Sequence, residues 1–105
     1  MSKNEAYYDT INLLFYYSDL KLSTVLTGTD SKTLELIDKA LEVLSTDPYI
    51  DILTNYYIHG MTMEDVAETV NLHVTQCYKH RKRLVKRLSI ILYGDKGIEK
   101  EETTD

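Results

Sequence analysis

Several features that are common in other protein classes are scarce or missing in this 105-residue sequence. Its single cysteine cannot form an internal disulfide, which is typical of proteins in the reducing cytoplasm. No apolar run approaches the length of a membrane span, and no charged-then-apolar leader opens the chain. Gly-rich phosphate loops, paired carboxylates and the Gly-x-Ser-x-Gly motif are missing as well. We therefore expect a cytoplasmic protein that is not an enzyme, needs no cofactor and does not enter a membrane.

What is present is the composition of a globular domain. Hydrophobic residues make up 43% of the chain and charged residues 28%, a balance that argues against extended disorder. The length favours one domain, because a hydrophobic core of this size rarely splits into two.

The formal net charge of −5 hides an uneven distribution along the chain. Residues 1–72 carry four Lys and Arg against twelve Asp and Glu, residues 73–93 carry six against none, and residues 94–105 carry two against five. The six bases of the middle segment lie within nine positions: Lys79, Arg81, Lys82, Arg83, Lys86 and Arg87. An acidic body with one basic segment is typical of polyanion binding, although a solvated face paired with acids elsewhere gives the same pattern.

Apolar residues recur at helical spacing almost throughout, so the sequence predicts an all-α fold of about five helices. The predicted helices cover residues 4–22, 31–44, 48–59, 62–71 and 74–93. A loop is predicted from Ser23 to Thr33, where Ser, Thr, Gly and Asp are frequent. By domain, the sequence divides into an N-terminal helix and loop (1–30), a helical domain (31–93) and a flexible acidic tail (94–105).

The third predicted helix follows a proline and precedes a glycine. Pro48 suits the first turn of a helix, and Gly60 is a favourable residue for its end. Helical spacing places Ile52, Leu53 and Tyr56 on the inward side of this helix.

The segment from Met61 to Leu88 has the pattern of a helix-turn-helix. That motif needs a small residue where the helices touch and, four positions later, a turn residue that tolerates positive φ. Ala67 and Asn71 meet these needs, and Thr62 can cap the first helix through its hydroxyl. The predicted packing residues around the motif are Val66, Val70, Leu72, Cys77, Leu84 and Leu88.

Projection of the last helix at about 100° per residue separates an apolar arc from a polar one. In a helix-turn-helix, the N-terminal residues of the second helix meet base edges in the major groove. Gln can pair with adenine, Lys with guanine, and Thr with a base edge or a thymine methyl. Thr75, Gln76 and Lys79 are therefore the predicted base-reading residues. The predicted phosphate-binding residues, further along the helix, are Lys82, Arg83, Lys86 and Arg87.

Three motifs between residues 35 and 94 carry a resemblance to a known family. They are ALEVL followed by Y-x-x-IL, the stretch YYIHGMTMEDVAE, and YKHRKRL followed by LYG. With them the chain resembles region 4 of bacterial sigma factors, and more so the phage-encoded ArpU-type transcriptional regulators. The resemblance covers rather more than half the chain and implies a wingless helix-turn-helix that binds promoter DNA and can touch RNA polymerase. Carried over by position, it implies that Thr75, Gln76, Lys79 and Lys82 face DNA.

The sequence departs from the family pattern at two positions of the motif. His73 stands where the family usually has a Ser or Thr before the recognition helix, and Cys77 replaces the usual Val. Buried cysteine behaves as a small hydrophobic residue, so the second change is mild. No segment resembling sigma region 2 is present, so the chain does not resemble a complete sigma factor.

His73, Cys77 and His80 are spaced so that one side of a helix could present all three to a metal ion. We expect no metal site, because Cys77 fits a core position and paired ligand motifs are absent.

The overall prediction is a sequence-specific DNA-binding transcriptional regulator of phage or prophage type. One alternative is a protein-binding module whose acidic surface contacts RNA polymerase or another host factor. Another is a DNA-packaging adaptor similar to a small terminase subunit. The N-terminal helix, rich in tyrosine and wide in its apolar face, suggests a homodimer or partner contact.

Overall fold

The computed structural model describes residues 4–98, and it confirms an all-α domain of about five helices. The α-helices are α1 (Glu5–Thr27), α2 (Lys32–Leu44), α3 (Ile50–Leu53), α4 (Met63–Val70) and α5 (Val74–Tyr93). Two short elements accompany them: a π segment (Thr54–Ile58) that continues α3, and a 3-10 turn (Gly94–Gly97) that follows α5. No β-strand occurs between residues 4 and 98.

Polar side chains cap the starts of α2 and α4, the second at the predicted residue, Thr62. The hydroxyl of Ser31 accepts a hydrogen bond from the backbone N–H of Leu34 at 3.1 Å. The hydroxyl of Thr62 accepts one from the N–H of Asp65, also at 3.1 Å. Each bond satisfies an amide that the first helical turn leaves without a partner, so these two residues fix where their helices begin.

Helix α1 is longer than predicted, and the predicted loop from Ser23 to Thr33 is mostly helical. The hydroxyls of Thr24 and Thr27 donate to carbonyls of the preceding turn, so both residues fit inside the helix. The helix ends at Gly28, which has φ +69° and donates its N–H to the carbonyl of Thr24. Only residues 28–31 connect α1 to α2.

The third helix is also irregular, which corrects its prediction. Pro48 lies in a turn, and α3 begins two residues later at Ile50. After Leu53 the backbone widens, because the N–H of His59 reaches the carbonyl of Thr54, five residues earlier, at 3.0 Å. Within this segment Tyr57 is in the core, and Tyr56, predicted to face inward, is partly exposed at its edge. Burial raises the pKa of Tyr57 to about 12.

Helix α5 supplies the centre of the main core. Its side chains Leu84, Val85 and Leu88 are fully buried against Leu14 of α1 and Leu44 of α2. Helix α1 therefore shares one core with residues 31–93. The far end of the predicted apolar arc is less buried, since Ile91 is 38% exposed.

A second core cluster joins α4 to the start of α5. Val66 and Cys77 are fully buried, and Ala67 lies beside them. Val70, Leu72 and Val74 complete this cluster from partly buried positions. Between the two helices, Asn71 adopts the left-handed conformation predicted for it, with φ +59° and ψ +47°.

The predicted tail begins with the 3-10 turn. The 3-10 turn folds back so that Gly97 is buried against α5. The carbonyl of Gly97 accepts hydrogen bonds from the Ser89 hydroxyl at 3.3 Å and from the Asn4 amide at 3.4 Å. A Cβ at Gly97 would overlap the backbone of Ser89, which explains why glycine is required here. Residues 99–105 of the predicted tail lie outside the described residues.

Candidate nucleic-acid interface

Helix α5 presents an exposed polar face from its first turn onward. The three predicted base-reading residues, Thr75, Gln76 and Lys79, are all exposed. On the opposite side of the same turns, Cys77 and Leu84 are fully buried. The side that faces the core and the side that faces solvent are therefore divided as the sequence predicts.

His73 caps this helix in place of the Ser or Thr that the resembled family uses. Its Nδ1 accepts a hydrogen bond from the N–H of Thr75 at 3.2 Å. Its backbone carbonyl accepts from the N–H groups of Gln76 and Cys77 at 3.0 and 3.1 Å. Because Nδ1 acts as an acceptor, the hydrogen bond requires an imidazole that carries no proton on that nitrogen. The cap sets the start of α5 and thereby the direction of the Thr75 and Gln76 side chains.

The predicted phosphate-binding residues fall into two groups. Lys82 is exposed like Lys79, Lys86 is half-buried, and Arg87 is exposed on the side of Asp47, where its charge helps to lower the pKa of that carboxyl. Arg83 instead makes a two-pronged ion pair with Asp47, with nitrogen–oxygen distances of 2.8 and 3.2 Å. Its guanidinium is therefore already engaged within the domain.

The environment of this ion pair favours both charges. Hydrogen bonding to Arg83 lowers the pKa of Asp47, and the same bond raises the pKa of Arg83. Nη2 of Arg83, which contacts Asp47, also lies 3.0 Å from Nδ1 of His80. The His80 ring in turn stacks on Tyr49, with centroids 4.1 Å apart. These contacts join the middle of α5 to the turn that precedes α3.

Arg81 packs on two aromatic rings, a contact that its sequence position did not lead us to predict. Its guanidinium lies 4.7 Å from the ring centroid of Tyr56 and 5.0 Å from that of Tyr78. Both separations suit cation–π attraction. The available signal was its spacing: Arg81 follows Cys77 by four positions and precedes Leu84 by three, so it lies on the core-facing arc. A cation at such a position calls for an aromatic or acidic partner.

The three residues considered for a metal site each have another role. Cys77 is buried among apolar side chains, and burial raises the pKa of its thiol. His73 caps α5, and His80 stacks on Tyr49. Across residues 4–98, no cluster of three or more His, Cys, Asp and Glu side chains has an arrangement that could hold a metal ion. Within the same range, no helix combines the length and apolar character that crossing a membrane requires.

Comparison with protein-family models, curated proteins and solved structures finds no significant match to this chain. The resemblance to sigma region 4 and to ArpU-type regulators thus stays a prediction that rests on the motifs of the sequence.

Proposed function

We propose that this chain is a sequence-specific, double-stranded DNA-binding transcriptional regulator of phage or prophage type. In this proposal α4 and α5 act as a helix-turn-helix, and the start of α5 enters the major groove. The observation that carries it is the shared exposure of Thr75, Gln76 and Lys79 on one face, directly after a tight turn from a packed short helix.

Packing around the turn supports a fixed relation between the two helices. Val66 and Ala67 of α4 contact Cys77 of α5 within one buried cluster. The turn residue Asn71 satisfies the end of α4 by donating its N–H to the carbonyl of Glu68, while the Leu72 N–H reaches that of Ala67. A recognition helix must be held in this way, because base contacts depend on its position to within about 0.5 Å.

The exposed side chains fall into two groups, those that can distinguish bases and those that can bind phosphates. Gln76 and Lys79 have the donor and acceptor groups that distinguish adenine and guanine edges. Lys82 and Arg87 lie later in the helix, with Lys86, where phosphates run beside the groove. Arg83 is exposed but held by its bond to Asp47, which fixes α5 against the turn before α3.

The acidic remainder of the chain restricts how DNA can approach. Residues 1–72 carry a net charge of −8, from four bases and twelve acids, and so repel phosphates. Within residues 4–98, positive charge is concentrated on the exposed face of α5. We expect weak non-specific binding and a single orientation on the duplex.

Selection from random DNA duplexes at physiological salt, followed by salt titration of the selected site, tests the proposal. Affinity is expected to fall steeply with salt, in proportion to the phosphates contacted. A flat dependence, or no enriched sequence, would overturn the proposal. Recovery of an RNA polymerase subunit with no retention of DNA would favour the protein-binding alternative instead.

Substitutions on α5 separate reading from affinity. Gln76→Ala and Lys79→Ala are expected to relax preference at one base pair, at a cost of about 1–3 kcal/mol for the preferred base. Lys82→Ala should weaken binding to all DNA sequences alike. It should also reduce the slope of log affinity against log salt concentration by about one. Lys39→Ala, which removes an exposed lysine on α2, is the matched control and should change neither property.

A further inference from the structure

Helix α1 carries an apolar stripe that is largely exposed, although the Phe15 ring in it also packs on the buried Tyr57 ring, with centroids 4.9 Å apart. One side of the helix is buried through Ala6, Thr10, Leu14 and Tyr17. On another side, large apolar residues are more than half exposed, from Tyr8 near the start to Val25 and Leu26, at 78% and 75%, near the end. The stripe consists of Tyr8, Phe15, Leu22, Val25 and Leu26. At about 1.5 Å per residue, the helix that carries it is about 34 Å long.

The stripe has the seven-residue spacing of a coiled coil. Tyr8, Phe15 and Leu22 are seven positions apart, and so are Ile11, Ser18 and Val25, each three positions later. These two series occupy the a and d positions of three consecutive heptads and form the seam, to which Ile11 contributes a side chain half-buried against the core and Ser18 an exposed one. A strict heptad repeat keeps one seam facing a second helix along its whole length, because the two helices wind around each other.

We propose that α1 pairs with α1 of a second copy of this chain, in antiparallel orientation about a two-fold axis. In this arrangement Tyr8 lies opposite Val25, Ile11 opposite Leu22, and Phe15 opposite Ser18. Each of these three pairs occurs twice, once on each side of the two-fold axis. A large side chain faces a smaller one at both ends of the seam, where Tyr8 meets Val25, and at its centre, where Phe15 meets Ser18. The stripe is thus complementary to itself, as a two-fold interface requires.

Parallel pairing would fit less well. It would place Ser18 against Ser18 and Phe15 against Phe15 in successive layers, leaving one layer empty beside a crowded one. Both defects destabilise a packed interface.

The exposed area is sufficient for a specific dimer. A fully exposed large side chain offers roughly 150–250 Å². With more than half of that exposed on five residues, the stripe offers on the order of 500 Å² per copy. Two copies would bury about 1,000 Å², which is the lower end of the range for specific interfaces.

Dimerisation through the stripe would leave the α5 face free. Helix α1 packs, through Leu14, on the side of α5 that carries Leu84 and Leu88. The exposed Thr75, Gln76 and Lys79 lie on the other side of α5. The dimer itself does not depend on DNA binding; if both hold, the selected DNA is an inverted repeat.

Sedimentation equilibrium of the full chain without DNA tests the dimer. The wild type is expected at twice the chain mass at micromolar concentration. Leu22→Glu and Val25→Glu each place two charges in the seam and should raise the dimer dissociation constant at least about 100-fold. Tyr16→Glu is the matched control on the same helix, since Tyr16 is as exposed as Tyr8, at 58% and 55%, but lies off the stripe. Leu36→Glu on α2, where Leu36 is 60% exposed, is a second control.

A monomeric wild type at 100 micromolar would overturn the proposal, as would a dimer that either control disrupts equally. Because the substituted side chains are exposed, far-ultraviolet circular dichroism should show the same helicity in every variant. DNA binding is measured separately on the Val25→Glu monomer with a duplex that holds one half-site. Its binding, or failure to bind, bears on the proposed function and leaves the mass result unaffected.

Cross-linking tests the orientation. An equimolar mixture of Tyr8→Cys and Val25→Cys chains should form a disulfide-linked pair under mild oxidation, because an antiparallel seam brings these positions together. Val25→Cys alone should not cross-link, since its two copies would lie at opposite ends of the seam. Efficient cross-linking of Val25→Cys with itself would instead indicate a parallel pair and overturn the proposed arrangement. Cys77 is present in all variants and is buried.

Discussion

Asp47 joins the turn before α3 to the middle of α5 through both oxygens of its carboxylate, and one of them also accepts the N–H of Tyr49 at 2.9 Å. Asp47→Asn keeps the shape but removes the charge. Since Arg83 is 45% exposed, solvent weakens the ion pair, and we expect a loss of a few tenths to about 1 kcal/mol of unfolding free energy at pH 7.

The loss should depend on pH in a defined direction. The pKa of Asp47 is lowered from 3.8 in the folded protein, so its contribution is present above that value and disappears as pH falls through the folded pKa. Urea unfolding of wild type and Asp47→Asn should therefore converge below pH 3.8. Asp51→Asn, at an exposed position of α3, is the control. A difference that persists undiminished at pH 2 would contradict this account.

Asn71 is the one non-glycine residue with positive φ between residues 4 and 98. Asn71→Ala should lower the free energy of unfolding by about 1 kcal/mol, because a Cβ without a local polar partner is strained in this conformation. Asn71→Gly should remain close to wild type, since glycine tolerates positive φ. Thermal denaturation compares the three proteins; equal stability of the alanine and glycine variants would disagree with the left-handed turn.

At the scale of helices, α4 and α5 could be predicted from the sequence and the end of α3 could not. The start of α4 and the turn at Asn71 depend on local chemistry, a hydroxyl cap and a tolerance for positive φ. The π segment depends on distant packing. The ring centroid of Phe15 on α1 lies 4.9 Å from that of Tyr57 and 6.4 Å from that of Tyr56, and spacing alone cannot tell which of the two tyrosines is buried.

The C-terminal end of helix α1 was also not predictable from local sequence patterns. Serine and threonine near its end suggested a loop, because both residues often favour turns over helices. In the structure, Thr27 donates its hydroxyl to the carbonyl of Ser23, and the helix continues to Gly28. Whether these hydroxyls bond inside or outside a helix depends on the elements beside it, which residue spacing does not reveal.

For the whole molecule, the placement of charge was more informative than its total. The exposed face of Lys79 and Lys82 could be found from helical spacing and the absence of acids in residues 73–93. The engagement of Arg83 could not, because its partner Asp47 lies 36 positions away and twelve acids were available in residues 1–72. The fold decides which charges pair over a long distance in the sequence. Helical spacing therefore predicts which basic residues share a face, but it does not predict which acid each of them contacts.

The hydrogen bond from Asn4 to Gly97 also has a consequence for folding kinetics. It spans 93 positions, so its formation closes nearly the whole described chain into a loop, at a high entropic cost. Such a contact is expected to form after the folding transition state. Gly97→Ala, whose Cβ would overlap Ser89, should then speed unfolding about tenfold while leaving the folding rate unchanged.

Stopped-flow folding and unfolding measure the two rates separately, with Lys96→Ala in the same turn as control. A slower folding rate in Gly97→Ala would mean that the turn around Gly97 packs on α5 before the folding transition state. An unchanged folding rate would mean that this contact slows unfolding without affecting folding. The core around α5 would then determine the folding rate, and the contact between Asn4 and Gly97 would determine the lifetime of the native state.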